Sequence, residues 1–180
     1  MLARQFGHEE VFKLLMQRSG LGLRFAVACE VGDEALAKSL LAKQPDLIAK
    51  QPPRAYRRII GAAVRNNVRA VRMMLAAGWP ANVQGEHNQT PLHWAAFHGN
   101  VEMVRALLLH RAFLDAEELQ FKGTPLGWAL YGSRHGWRRD TGDYPLTVEA
   151  LLLAGAKVPG PAEEIEAPEE VLEVVRRHQA

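Results

Sequence analysis

The sequence predicts an all-α solenoid of helix-turn-helix units, joined by short β-hairpin or loop connections and closed by a C-terminal capping helix. Three observations carry this expectation. The string Thr90-Pro91-Leu92-His93-Trp94-Ala95-Ala96 returns 34 positions later as Thr124-Pro125-Leu126-Gly127-Trp128-Ala129-Leu130, with five of seven residues identical. Each copy leads to a leucine run and a small-residue turn, at 104–112 and again at 148–156. A permissive residue beside a capping residue recurs at Gly32-Asp33, Gly99-Asn100 and Gly142-Asp143, the punctuation that ends one helix and begins the next. Self-similarity at such a period marks a repeat architecture, in which neither helix of a pair buries its face alone and stability accumulates between neighbours.

Taken in order, residues 1–20 read as a partial repeat. Gly7-His8-Glu9-Glu10-Val11 through Met16 stands in register with Gly99-Asn100-Val101-Glu102-Met103 through Leu108, but only six residues precede it. This is either a trimmed native cap or the remainder of a chain with more repeats before Met1. Repeat 1 spans 21–53 and repeat 2 spans 54–85. Gly32 to Asn66 is 34 positions and Asn66 to Gly99 is 33, although the Thr-Pro opening is worn to Leu23-Arg24 and Arg57-Arg58. Repeat 3 spans 86–118: Thr90 is the N-cap of its first helix, Pro91 sits at N1 where no amide partner is required, and Leu92, Ala95 and Ala96 form a narrow apolar face. Repeat 4 spans 119–159 and carries ten extra residues, since Leu107 to Leu151 is 44 positions. The insertion, 132–142, is rich in Gly and turn formers and reads as a loop between paired helices, with Trp137 covering the exposed end of the stack or contacting a partner. Residues 160–180 read as the capping helix, apolar along one stripe, acidic at Glu169-Glu170 and basic at Arg176-Arg177, as a helix dipole favours.

Composition bounds the function classes. Of 180 residues 48% are hydrophobic and 23% charged, which excludes disordered and low-complexity classes. A net charge of +2 is too small to argue a nucleic-acid or membrane partner from composition. Cys29 alone makes no internal disulfide, pointing to a reducing compartment and a cytoplasmic location. The N-terminus lacks the apolar run of a secretory signal, and no stretch approaches the ~20 apolar residues that span a bilayer.

With the Thr-Pro-Leu-His-x-Ala-Ala string and its spacing, the chain resembles the ankyrin-repeat family, strongly over 78–130, well over 25–77 and 143–158, and weakly elsewhere. The elaborated last repeat is similar to terminal repeats of bacterial ankyrin proteins. The resemblance implies a non-catalytic module that binds a protein or peptide through a groove formed by hairpin tips and first helices. Carried over by position, the partner-binding residues are Glu30 and Val31 in repeat 1, Arg54, Tyr56, Val64 and Arg65 in repeat 2, Glu86, His87, Gln89, Phe97 and His98 in repeat 3, and Phe121 and Tyr131 in repeat 4, with Trp137 added from the insertion. Tyr56, Phe97, Phe121 and Tyr131 fall where the repeat does not need core, and aromatics with Arg are what interface hot spots use. Four repeats with about five groove positions each reach the roughly 20–30 residues a side of a standard interface. Trp94 and Trp128, which replace a core leucine of the string, are expected to be buried packing. The alternative reading is a regulatory or targeting domain of a longer, enzymatic protein. The expected state is a monomer, with association through the N-terminal half repeat as a second option.

His93 and His98 are five apart on a short helix, roughly 140° from each other, which does not suit a helical metal pair. In the resemblance, His93 ties its helix start to the adjacent hairpin. Cys29 occupies the small buried position held by Ala63 and Ala96 and reads as filler. No phosphate loop, nucleophile elbow, zinc helix or paired-carboxylate constellation is present, so no cofactor, metal or catalytic residue is assigned. Arg54, Arg57, Arg58, Arg65, Arg69 and Arg72 fall within 54–72 without an acid. This segment is read as a solvated flank, a docking patch for an acidic protein, or, least favoured, a phosphate-backbone contact.

Overall fold

The computed structural model of the chain describes residues 9–179. The opening of the N-terminal half repeat, Gly7-His8 included, lies outside these residues; its helix α1 runs Glu9–Arg18. Helix pairs follow: α2 (Leu21–Val31) with α3 (Glu34–Lys43), the short α4 (Pro53–Tyr56) and α5 (Arg58–Val64) with α6 (Val68–Ala76), α7 (Pro91–Phe97) with α8 (Val101–Leu109), and α9 (Pro125–His135) with α10 (Tyr144–Leu153). A 3₁₀ turn, Ala162–Glu164, leads to α11 (Glu169–Gln179). Among the described residues no strand forms, and the connections between repeats are turns and loops.

The helices are short, seven to eleven residues apart from α4, so propensity alone would not hold them and capping and packing must. Asp33, Asn67, Asn100 and Asp143 each cap a second helix, the side chain accepting the backbone N–H three residues on at 2.9–3.1 Å. The preceding helix ends in the left-handed region at Gly32 and Gly99, and at Asn66 in repeat 2, the position the repeat spacing aligns with those glycines. Thr124 caps α9 by accepting from Gly127 N–H at 3.2 Å, and Pro91 and Pro125 occupy the first turns of α7 and α9.

Two helical layers result, α2, α5, α7 and α9 in one and α3, α6, α8 and α10 in the other. Between them runs one continuous core, from Phe25 and Leu40 through Ile59, Val71 and Met74, then Leu92, Met103 and Leu107, to Leu126, Val148 and Leu151. Ala62, Ala63, Ala95, Ala96 and Ala129 are fully buried at the helix contacts, where a methyl side chain allows close stacking. Cys29 shares that role, buried, with burial pushing its thiol up to about 12. The amphipathic α11 lays Val171, Val174 and Val175 on α10, closing the line. On α1, Val11, Leu14 and Leu15 are about half exposed.

The insertion differs from a simple loop. α9 continues through His135, so 132–135 are helical, and 136–143 then turn back along the preceding repeat. The reason is a set of backbone approaches only glycine permits. A Cβ on Gly132 would lie 2.5 Å from the Phe97 carbonyl oxygen, and one on Gly142 would lie 2.6 Å from that of His98. Asp143 N–H donates to Gly99 O at 2.9 Å, and the buried Tyr144 donates its hydroxyl to Phe97 O at 2.9 Å.

Candidate partner-binding face

The face formed by α2, α4–α5, α7 and α9 and their loops holds most of the residues expected to meet a partner. Its centre is an aromatic cluster. The rings of Trp94 and Trp128 meet edge to face at 5.1 Å, and Phe97 lies edge-on to Trp128 at 5.9 Å and to Trp137 at 5.3 Å. Trp137 stacks on Trp94 at 6.2 Å with 25° between the planes, and itself remains 72% exposed. Two expectations are corrected here. Trp137 does not cover the end of the stack; the returning insertion lays it across Trp94, Phe97 and His98, one repeat back. Trp94 and Trp128 are half-buried members of this face, because two residues along a helix is about 200° of rotation from the fully buried Leu92 and Leu126, which places both rings on the side away from the core.

His98 is also corrected: it is buried, 3% exposed. Its Nε2–H donates to Val64 O at 2.9 Å, across to the preceding repeat, while Trp137 closes over the ring at 5.9 Å. Nδ1 has no partner. Burial, and secondarily the Arg138 charge, push its pKa down, the Val64 hydrogen bond opposing.

The other expected residues divide. Glu30, its side chain 5% exposed, is held by Arg65 at 3.2 Å. Tyr56 is half-buried and structural: its hydroxyl donates to Ile48 O at 2.9 Å and its ring meets Trp79 edge-on at 5.8 Å. Val64 lines a notch with Arg65, His98, Trp137 and Arg138. Val31, Arg54, Glu86, His87, Phe121 and Tyr131 are exposed, Phe121 by 78%. Gln89 is half-buried and stabilises its own tip, accepting His87 N–H at 2.9 Å. Tyr131 stands apart from the aromatic cluster, its ring 4.8 Å from that of His135.

The tips are tied to one another. His93 Nδ1 accepts the Thr90 backbone N–H at 3.1 Å, and its Nε2–H donates to Gly123 O at 3.1 Å, the link to the next hairpin that the family resemblance implies. Leu119 N–H donates to His87 O at 2.9 Å. Glu118 was not anticipated. Its buried carboxylate gathers the amides of Gln120, Phe121 and Gly123 at 2.6–3.2 Å; burial opposes its charge, but these bonds and nearby His93 hold its pKa below the usual range. Nothing in the repeat string marks that acid.

The basic segment is half neutralised. Arg65, Arg69 and Arg72 pair with Glu30, Glu34 and Glu102 of neighbouring repeats, contacts between residues some 30 positions apart that sequence proximity hides. Among the described residues, no three of His, Cys, Asp or Glu stand close enough to hold a metal ion, and no helix is long and apolar enough to cross a membrane.

Stacked helix pairs, tied tips and a side-chain-rich first-helix face define a repeat-protein interaction module. The chain belongs to the ankyrin-repeat family: ankyrin repeats (3 copies) match over residues 23–118 and 59–137. It is 30% identical over 124 residues to palmitoyltransferase Hip14 of Drosophila melanogaster, covering 69% of this chain and 18% of that protein. It is 34% identical over 93 residues to palmitoyltransferase AKR1 of Lachancea kluyveri, covering 49% of this chain and 12% of that one. With the E3 ubiquitin-protein ligase KEG of Arabidopsis thaliana it shares 31% over 106 residues, 56% of this chain and 6% of that protein. The chain thus spans less than a fifth of each relative it matches.

Proposed function

We propose that the chain binds a protein or peptide partner on its first-helix face, centred on Phe97 and Trp137 and flanked by the tips carrying His87 and Phe121. The observation that carries this reading is the exposed Trp137, laid over a half-buried aromatic cluster by an insertion whose own packing does not require that ring to face solvent. Large exposed aromatics ringed by polar residues mark interaction sites. In this reading the chain acts as a monomeric, non-catalytic module, and its single thiol, buried and protonated at neutral pH, offers no exposed nucleophile. Affinity capture with the unmodified chain and with Phe97→Glu combined with Tyr131→Glu tests the face. Loss of partners with helical content retained supports it, and undiminished capture by the variant overturns it.

The shares covered in the relatives favour a second reading, a targeting or regulatory region within a longer protein. The intact mass of the protein in its source cell decides it: a mass near 20.0 kDa overturns this reading.

A further inference from the structure

Arg65 stands where two notches on the first-helix face meet. The first, about 520 Å³, is lined by Ala55, Gly61 and Gln51, whose amide covers the buried Gly22, and by Arg54, Arg57 and Arg58. The second, about 400 Å³, lies between the Val64–Asn66 turn and the insertion, and is lined by His98, Trp137, Arg138 and Thr141. Arg65 lines both, so the notches adjoin across its side chain as a trough from α4 to the aromatic cluster.

The charges in this trough are unbalanced. Among the described residues, Arg54, Arg57, Arg58 and Arg138 have no carboxylate at ion-pair distance, and Glu30, the acid in the trough wall, is already held by Arg65. Arg69 and Arg72, on α6, are each matched by an acid. The unmatched cations therefore gather along one line. A second, independent observation lies at the far end. His98 lines the second notch beneath Trp137, and with its Nε2–H committed to Val64 O its Nδ1 is a buried lone-pair acceptor without a partner. A buried acceptor without a donor is costly, and a ligand that brings an N–H repairs it.

We propose that this trough takes an extended acidic peptide segment of a partner protein, its carboxylates on Arg54, Arg57 and Arg58 and its chain passing Arg65 to reach His98 and Trp137. The proposal rests on the partner-binding reading above and names the chemistry of the partner. A peptide fits both ends of the trough, since it supplies carboxylates for the arginines and backbone N–H groups for His98 Nδ1. An ionised phosphodiester satisfies the first and has no proton for the second, which a nucleic acid meets only by turning a base N–H into the notch. Ala55 and Gly61, the small residues of the first notch, let a backbone approach closely enough for its side chains to reach the arginines.

The test is selection from a displayed random peptide library on the whole chain, followed by anisotropy titrations of fluorescein-labelled synthetic copies of the enriched peptides. The enriched peptides are expected to carry net negative charge. Their affinity is expected to fall roughly tenfold or more when Arg54, Arg57 and Arg58 are all changed to Glu, and steeply between about 50 and 200 mM salt. The three arginines are exposed and unpaired, and the milder triple change to Gln, expected to weaken binding in the same direction, gives the same decision should charge reversal disturb folding. Enriched peptides without acidic bias, or acidic peptides indifferent to both triple variants, overturn the proposal. If those peptides still lose affinity with Phe97→Glu, the partner-binding face stands and only its acidic preference falls; indifference to Phe97→Glu as well removes both. A mixed-sequence single-stranded oligonucleotide that outcompetes the best peptide at physiological salt also overturns the proposal.

Discussion

The Nε2–H of His93 in the third repeat donates to the carbonyl of Gly123 in the loop that opens the fourth, at 3.1 Å, while its Nδ1 accepts from Thr90. One fully buried ring thus starts its own helix and fastens the next tip. The same Gly123 carbonyl accepts Glu118 N–H at 3.1 Å, so the loop carrying the exposed Phe121 is held from both sides. Replacing His93 with Leu keeps volume but leaves the buried Thr90 N–H without its acceptor, while Gly123 O keeps only the Glu118 N–H. A loss of about 1–3 kcal/mol is expected, measured by urea unfolding, the scale of one stranded buried group. A loss below about 1 kcal/mol would show that water reaches the loop.

Acid weakens the fold through histidine before carboxylates titrate. Burial pushes the pKa values of His93 and His98 below the ordinary 6.5, against the hydrogen bonds to Gly123 and Val64 carbonyls, which raise them. Between 6.5 and those lower values the unfolded chain binds protons the folded chain refuses, so stability is complete above 6.5 and declines as pH falls below it. Melting temperature is expected to drop between about pH 6.5 and 5, with a free-energy change on the order of 1 kcal/mol. Changing both residues to Gln should flatten that portion of the curve, and an unchanged slope would assign it to other groups.

The repeat register was legible because its chemistry is local. Asp33, Asn100 and Asp143 cap helices from positions the spacing picks out, and Asn66 stands in the left-handed site that Gly32 and Gly99 fill in their repeats. The candidate site was legible only in part. Phe97 and Val64 lie on the expected face, but the insertion has no counterpart to align with. Its course depends on Gly132, Gly142 and Tyr144 meeting the backbone at Phe97 and His98, partners up to 47 residues away. Position alone therefore exposed His98, which the returning loop buries, and sent Trp137 to the end of the stack.

Gly142 is where that loop is clamped. A Cβ there meets His98 O at 2.6 Å and the Tyr144 ring at 2.8 Å, and one of these two atoms is backbone that cannot rotate away. Gly142→Ala should lift the segment 136–143, costing about 1–3 kcal/mol through strain of this kind. The exposed Arg138 and Arg139 give a direct readout, since trypsin should cleave there faster in the variant while the rest of the chain resists. Equal cleavage rates would mean the loop is not held by this contact.

Trp137 separates binding from stability. It is 72% exposed, and its contacts are ring to ring, with Trp94, Phe97 and His98. Trp137→Ala is expected to cost only about 1 kcal/mol in unfolding, the scale of an aromatic pair. Partner affinity should fall by about 2 kcal/mol or more if the ring is an anchor of the interface. Stability lost in equal measure to affinity would make the ring a structural cover.

Gly61 makes the opposite separation. It lies inside α5, where glycine costs roughly 1 kcal/mol relative to alanine, and no backbone crowds it: an added Cβ meets Arg65 Nη1 at 3.4 Å and Nη2 at 3.8 Å, the mobile end of a half-exposed side chain. Gly61→Ala should therefore stabilise the chain by up to about 1 kcal/mol, through helix propensity and a less flexible unfolded state. The same methyl stands in the first notch with Ala55 and reduces the room available to a bound backbone. Thermal unfolding is expected to shift upward while affinity for the selected acidic peptides drops several-fold, a trade in which a residue poor for its helix is kept for what its helix holds. Higher stability with affinity unchanged would place the bound peptide away from Gly61, along the arginines alone.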